Sequence, residues 1–232
     1  MGNEYLIPFA KDIWICEGLP VNFYGFDYPT RMTIIKLEND ELFIHSPIAP
    51  TKEILAEIDK LGEVAFLVSP NKIHHLFLGD WKKIYPKAKM FASPGLKKKR
   101  NDLVFDGELQ NEPEEKWAKE IDQIIFAGSK AVSEVVFFHK SSKTLILADL
   151  IENFEKDWFK GWKRIIMPFV GIIAPNGKAP IDFRLSFLGG KAKAKKSLAQ
   201  MKAWQPENII IAHGICFKGT GIKELERAFS WV

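Results

Sequence analysis

The fold of this chain is decided by one stretch, Val64-Ala65-Phe66-Leu67-Val68-Ser69-Pro70-Asn71-Lys72-Ile73-His74-His75. Its first five residues are apolar and rich in β-formers, and the Ser-Pro-Asn turn that follows predicts a buried strand ending at Val68. Two adjacent histidines come after this turn, where a rigid scaffold holds side chains within reach of a ligand. The alternative is a pair that only packs, because histidine is often partly buried without a functional reason.

Two other predicted strands end in side chains that can bind a metal. Asp149 follows the largely apolar residues 144–148, and His213 follows the largely apolar residues 208–212 and precedes Gly214. Imidazole and carboxylate are common ligands of divalent transition metals. Three predicted strands therefore each end close to a candidate metal ligand.

These segments resemble the metallo-β-lactamase superfamily, and more closely a divergent, DUF4336-like branch of it. The resemblance is carried by three segments, Thr30-Arg31-Met32-Thr33, Ile44-His45-Ser46-Pro47 and Ser69-Pro70-Asn71-Lys72-Ile73-His74-His75. The superfamily signature His-x-His-x-Asp-His corresponds here to residues 70–75, and only its last histidine is kept. The resemblance covers nearly the whole chain and implies an α/β fold, a four-layer αβ/βα sandwich that forms a single domain over residues 1–232.

The resemblance also implies which metal ligands are present. One of the two superfamily metal sites is lost, since its positions are occupied by Pro70, Lys72 and Ser129. The other site keeps four possible ligands, which are His74, His75, Asp149 and His213. Three imidazoles and one carboxylate suit a single Zn, Fe or Mn ion, and the residue types do not choose among these metals.

Two functions follow from this ligand set. The first is a metal-dependent hydrolase with a single metal site and a small-molecule substrate, in which the Lys72 ammonium stabilises developing negative charge. Esters, amides, lactones and phosphoesters all fit such a site. The second is a catalytically inactive scaffold that binds a ligand or partner without metal. Lys72 also has a simpler interpretation as a solvated loop lysine.

Composition limits the other possibilities. The chain has 232 residues, 47% of them hydrophobic, and a formal net charge of +4, which describes a folded protein with a sizeable core. Its basic runs, such as residues 97–100, are typical of solvated faces, and they lack the aromatic platform of a nucleic-acid-binding module. We therefore expect no nucleic-acid partner.

The same residues predict where the protein works. Only two cysteines are present, Cys16 and Cys216, which favours a reducing compartment. Met1-Gly2-Asn3-Glu4-Tyr5 lacks the features of a secretion signal, and no run of about 18 apolar residues occurs. These observations predict a cytoplasmic protein without a membrane partner.

Three local expectations concern the rest of the chain. Thr51 and Gly62 bracket a pattern of apolar residues at helical spacing, which predicts a helix between them. The aromatic and aliphatic residues of segment 158–169 have helical spacing too, which is more typical of a core than of a binding site. They could alternatively wall a small-molecule cavity. His139 stands at a predicted hairpin tip and is expected to be exposed, whereas His45 is either a packed strand residue or a neighbour of the site.

Overall fold

The computed structural model describes residues 5–23 and 25–232 of the chain. The expectation about a secretion signal falls mainly on residues 1–4, which lie outside the described residues. The chain forms two compact units, residues 1–120 and residues 121–232. The expectation of a single domain stays a prediction.

The first unit contains a mixed sheet whose strands follow one another in chain order. In its described residues the strands are β1 (Ile7–Ala10), β2 (Ile13–Phe23), β3 (Phe26–Lys36), β4 (Glu41–His45), β5 (Glu63–Val68), β6 (Lys89–Ala92) and β7 (Gly107–Glu108). The first four strands pair antiparallel, and β4 to β7 pair parallel. Its helices are α1 (Lys52–Leu61), α2 (Leu78–Ile84), α3 (Leu96–Lys99) and α4 (Glu115–Ala118).

Local sequence explains how α1 leads into β5. The Thr51 side chain accepts a hydrogen bond from the backbone N–H of Ile54 at 3.3 Å, which satisfies one of the donors left open at a helix start. The backbone N–H of Gly62 donates to the carbonyl of Ile58, and β5 begins at the next residue. The predicted helix and the predicted end of the strand at Val68 are both confirmed.

An aromatic cluster anchors the polar segment that contains β7. The Trp117 ring lies 5.2, 5.1 and 4.9 Å from the rings of Phe43, Phe66 and Phe91, measured between centroids. These partners come from β4, β5 and β6, and aromatic pairs at such distances add to the stability gained by burial. Residues 101–119 are rich in polar side chains, but this one tryptophan packs the segment against the sheet.

The second unit has a smaller sheet followed by helices. Among its described residues the strands are β8 (Ile121–Phe126), β9 (Glu134–His139), β10 (Thr144–Ile146) and β11 (Asn208–Ile210), in the order β11-β10-β9-β8. β10 pairs parallel with β11 and antiparallel with β9. The helices are α5 (Trp162–Val170), α6 (Ile181–Leu185), α7 (Lys191–Ala203) and α8 (Gly221–Ala228).

Two expectations about the second unit are wrong. His139 is buried rather than exposed, because it is the last residue of β9 and its Nδ1 atom lies 2.8 Å from the Ser142 hydroxyl. Helix α5 does not place all its apolar residues in a core. Phe159 and Met167 are buried, but Ile165 and Phe169 are strongly exposed to solvent.

No helix in residues 5–23 or 25–232 is both long enough and apolar enough to cross a membrane.

Candidate metal centre

The loop after β5 is built by the two polar residues that flank Pro70. The Asn71 side-chain oxygen accepts the backbone N–H groups of Ile73 and His74, at 2.8 and 3.2 Å. The Ser69 hydroxyl lies 2.8 Å from the carbonyl oxygen of Asn71 and 2.7 Å from that of His74. Ser69 and Asn71 are fully buried, so the Ser-Pro-Asn turn that ends the strand also orients the backbone of His74.

The ring of His74 contacts the side chain of Ser46, the residue that follows β4. The Ser46 hydroxyl lies 2.7 Å from His74 Nδ1, and such a contact orients the imidazole ring. Ser46 has a left-handed backbone, with φ of 54°, a conformation that directs the chain sharply out of β4. The neighbouring His45 is buried, and burial together with the charge of His74 lowers its pKa to about 3. His45 is therefore a neutral strand residue beside His74.

His75 faces a cationic partner. Its Nδ1 atom lies 3.1 Å from the Arg100 guanidinium, which also donates to the His75 carbonyl at 3.3 Å. Burial first, and then the charges of Lys99 and Arg100, lower the pKa of His75 to about 4. A neutral ring that accepts this hydrogen bond at Nδ1 carries its proton on Nε2, so neither nitrogen offers a lone pair to a metal.

Lys72 lies beside α3. Its side chain runs past Gly95, and its carbonyl oxygen accepts a hydrogen bond from the Lys99 ammonium at 2.7 Å. Lys72 is half-buried, so part of its side chain is covered while the residue still reaches solvent. Its predicted catalytic role stays a prediction.

In the second unit, Asp149 and His213 lie at the C-terminal ends of two adjacent parallel strands. The pairing of β10 with β11 continues past the strands, since the backbone N–H of Leu147 donates to the carbonyl of Ile210. As a result His213 Nε2 lies 3.1 Å from Asp149 Oδ1, and both side chains are largely buried. Side chains at the carboxyl ends of parallel strands commonly form ligand sites in α/β proteins.

Sequence reasoning missed Glu134, which fixes the backbone before and at Asp149. Its two carboxylate oxygens accept the backbone N–H groups of Ala148 and Asp149, each at 2.8 Å. Glu134 is fully buried at the start of β9. The sequence signal for Glu134 was a glutamate at the start of a run of apolar strand residues. A carboxylate buried in such a strand is rare unless it is paired, which would have indicated a structural role.

The turn that carries His213 depends on Asn153, which sequence reasoning also missed. The backbone N–H of Asn153 donates to the His213 carbonyl at 3.0 Å, and its side chain donates to the Ile215 carbonyl at 2.9 Å. Gly214 has φ of 95°, and a β-carbon there would lie 2.1 Å from the Asn153 carbonyl oxygen. The Phe154 ring is parallel to the imidazole of His213, with centroids 6.3 Å apart.

A third buried carboxyl, that of Glu152, lies close to these groups. Burial, and then the negative charges of Asp149, Asp182 and Glu134, raise the pKa of Glu152 well above its usual value. Its Oε2 atom is buried and has no hydrogen-bond partner among the described residues. Burial and the neighbouring carboxylates thus act in the same direction, and both favour the protonated form of Glu152.

The donor atoms of this unit fit a divalent metal ion. Two ligands bound to one zinc ion at about 2.0–2.2 Å are roughly 3 Å apart, close to the separation of His213 Nε2 and Asp149 Oδ1. In the first unit, a metal that His74 bound with its Ser46 contact intact would be bound through Nε2. Nitrogen and oxygen donors of this kind are compatible with Zn, Fe or Mn.

The overall fold is that of the metallo-β-lactamases, as solved structures show. The metallo-β-lactamase DIM-1 is 17% identical, covers 98% of this chain and 97% of its own, and has a TM-score of 0.65. A metallo-β-lactamase from Pontibacter korlensis is 13% identical, with 97% of each chain covered and a TM-score of 0.65. The Flv1 flavodiiron core from Synechocystis is 11% identical and covers 97% of this chain and 60% of its own, with a TM-score of 0.63. The predicted fold class is confirmed.

Sequence comparison assigns the family. No curated protein matches the chain. A family model described as "Domain of unknown function (DUF4336)" matches residues 11–164, which is more than half of the chain. The chain therefore belongs to the DUF4336 family.

Proposed function

We propose that the protein is a metal-dependent hydrolase with one divalent ion, held by His74 of the first unit and by Asp149 and His213 of the second. The observation that carries this proposal is the contact of 3.1 Å between His213 Nε2 and Asp149 Oδ1, formed by buried side chains at two parallel strand ends. The metallo-β-lactamase fold supports it, since the resemblance of the sequence assigns metal ligands to these same positions. The substrate is a small molecule whose class is open.

The residues of the chain have distinct roles in this proposal. A bound divalent ion supplies Lewis-acid polarisation and lowers the pKa of water. Ser46 fixes the ring of His74, and Glu134 fixes the backbone of Asp149, so that the donor atoms are oriented before the ion arrives. Lys72 precedes His74 by two residues, and its ammonium group stabilises negative charge that develops on the substrate.

His75 is a fourth ligand in this proposal only if its hydrogen bond with Arg100 is broken. The proton on Nε2 would have to move before that atom could bind an ion, and the adjacent guanidinium would oppose a second positive charge. We therefore propose three ligands with the Arg100 contact intact, and four if metal binding displaces Arg100 from His75.

A metal-free scaffold is the second candidate. A separation of 3.1 Å is also that of an ordinary hydrogen bond between an imidazole and a carboxylate. In this case Asp149 and His213 form a buried polar pair that holds the ends of β10 and β11 together. The protein would then bind a ligand or partner near this pair without catalysis.

Metal analysis separates the two candidates. Protein purified without chelators is analysed by mass spectrometry for Zn, Fe and Mn, together with the variants His213→Gln and His139→Gln. His139 is the matched control, since it is a buried histidine of the same unit that bonds to Ser142. The hydrolase proposal expects about one equivalent in the native protein and in His139→Gln and a large loss in His213→Gln. Well under one equivalent in the native protein supports the scaffold.

The metal-loaded protein is then assayed against esters, amides, lactones and phosphoesters. The hydrolase proposal expects turnover of one of these classes that is lost on chelation and restored by the metal. Turnover that survives in His213→Gln would contradict the assignment of this residue.

A further inference from the structure

Helix α5 turns its apolar side toward solvent. Trp162, Ile165, Ile166 and Phe169 are 61%, 71%, 45% and 81% exposed. Their spacing of three and four residues places them on one side of the helix, whereas Met167 faces the other way and is buried. We call these four exposed residues the α5 face. Contiguous apolar surface of this kind usually marks a binding surface.

Helix α6 extends the exposed apolar surface of the same segment. Ile181 and Leu185 on α6, and Leu188 just after it, are also exposed. The Arg184 guanidinium donates to the carbonyl of Val170 at the end of α5 and to the carbonyl of Ala179 before α6. These bonds hold the two helices in one fixed arrangement, so their apolar residues belong to one ordered surface.

This segment is also strongly basic, as are residues 81–100 of the first unit. Residues 156–196 contain eight lysines, two arginines and two aspartates, an excess of eight positive charges, although the whole chain carries only +4. The rest of the chain is therefore negative. Lys160 and Arg164, which flank the start of the α5 face, are exposed, and a row of exposed lysines follows at the start of α7.

The charge decides what covers the α5 face. A second copy that docked through the same segment would bring two strongly positive segments together, and like charges across an interface oppose association. A bilayer that contains anionic lipids complements both features, because apolar side chains enter the boundary between headgroups and acyl chains while lysines and arginines contact the headgroups. Tryptophan is also favoured at this boundary.

We propose that residues 156–196 bind the surface of an anionic lipid bilayer, with the α5 face inserted at the headgroup level. The expectation of no membrane partner concerned only spanning segments and leader peptides. A surface-binding helix needs neither, since it lies in the plane of the interface. This inference does not depend on the proposed metal chemistry.

The test is sedimentation with lipid vesicles. The full chain is mixed with vesicles of phosphatidylcholine alone and of phosphatidylcholine with phosphatidylglycerol. We expect binding to the anionic vesicles, weaker binding as salt is raised, and a shift of tryptophan emission to shorter wavelength on binding. Absence of binding to the anionic vesicles at low salt would overturn the proposal.

Two variants and one control locate the surface. The double variant Ile165→Ser with Phe169→Ser removes two side chains that are exposed in the folded protein, so folding should be unchanged by circular dichroism. Its affinity for anionic vesicles should fall on the order of tenfold or more. Lys160→Gln should weaken binding about fivefold. Val104→Ser is the control, since Val104 is 85% exposed in the first unit, and it should bind like the native protein.

Two results would overturn the assignment to the α5 face. One is equal vesicle binding by the native protein and the double variant. The other is a native dimer that the double variant converts to a monomer, with no vesicle binding by either, which would identify a second copy as the occupant.

Discussion

The Glu134 carboxylate accepts the backbone N–H of Asp149 at 2.8 Å, and this bond links a buried strand residue to a candidate metal ligand. The second carboxylate oxygen accepts the N–H of Ala148 at the same distance. Glu134 thus replaces the strand partner that β10 lacks beyond Ile146 on this side. It positions Asp149 through the backbone without contacting a substrate.

Glu134→Gln should therefore weaken both stability and metal binding. Glutamine keeps one oxygen acceptor but places an NH2 donor opposite the other backbone N–H, so one of the two hydrogen bonds is lost. We expect the free energy of unfolding to fall by about 1–3 kcal/mol and metal affinity to fall roughly 10- to 100-fold. Chemical denaturation and metal titration measure the two effects. Glu155→Gln, at an exposed position nearby in the chain, should change neither; an unchanged metal affinity in Glu134→Gln would refute the positioning role.

Gly214→Ala should disrupt the turn that carries His213. Alanine at this position meets both an unfavourable positive φ and a β-carbon 2.1 Å from the Asn153 carbonyl oxygen. Gly189→Ala separates the two effects, because Gly189 has φ of 86° and nothing within 4 Å of an added β-carbon. We expect Gly189→Ala to lower the free energy of unfolding by about 1–2 kcal/mol and Gly214→Ala by roughly 4 kcal/mol or more. Equal losses, measured by urea denaturation, would mean that the close approach to Asn153 has no energetic consequence.

Ser46→Ala should loosen the ring of His74. The variant removes the hydroxyl that lies 2.7 Å from Nδ1, so the ring loses its fixed orientation. We expect stability to fall by about 1 kcal/mol and metal affinity by roughly tenfold or more. Ser93→Ala is the matched control, since the Ser93 hydroxyl is buried with no hydrogen-bond partner among the described residues. That control should be neutral or slightly stabilising, and a loss of metal affinity as large as in Ser46→Ala would argue against a specific role for Ser46.

Cys16 should react slowly with thiol reagents, and its ionisation should make the stability of the folded protein fall at alkaline pH. Burial first, and then the charges of Glu17 and Glu57, raise the pKa of Cys16 to about 12. At pH 8 only about one thiol in 10⁴ is then a thiolate, so a thiol reagent should label the half-buried Cys216 first. The unfolded chain loses the proton at a lower pH than the folded chain, so stability is complete below about pH 9 and falls as the pH rises toward 12.

Denaturation at several pH values checks this sign. The free energy of unfolding should fall by about 1.4 kcal/mol per pH unit for one proton. In Cys16→Ala this contribution to the pH dependence should be absent. The pKa of Tyr85 is also raised, by burial and by its bond to Asp59, so it acts in the same direction and remains in the variant. Rapid labelling of Cys16 in the folded protein would contradict its burial.

Much of the fold followed from local patterns. The helix between Thr51 and Gly62 could be predicted because its cap, apolar spacing and stop signal all agree. The strand that ends at Val68 could be predicted because a turn with a buried serine and asparagine follows a continuous apolar run.

The residues that support the site could not be predicted in the same way. Glu134 and Asn153 act through backbone groups of distant segments, and a sequence pattern does not indicate which N–H a side chain will reach. The solvent exposure of the α5 face was also missed, since apolar residues at helical spacing look the same whether the helix packs into a core or binds a surface. The burial of His139 was missed because it is paired with residues of both β8 and β10, and sequence does not indicate strand neighbours.

Anomalous X-ray diffraction from a crystal of metal-loaded protein tests the central claim most directly. The account predicts one anomalous peak about 2.0–2.2 Å from His74 Nε2, an oxygen of Asp149 and Nε2 of His213. Data collected on both sides of the metal's absorption edge would identify the ion. A crystal without such a peak, or a peak bound by other residues while Asp149 and His213 keep their hydrogen bond, would contradict the account.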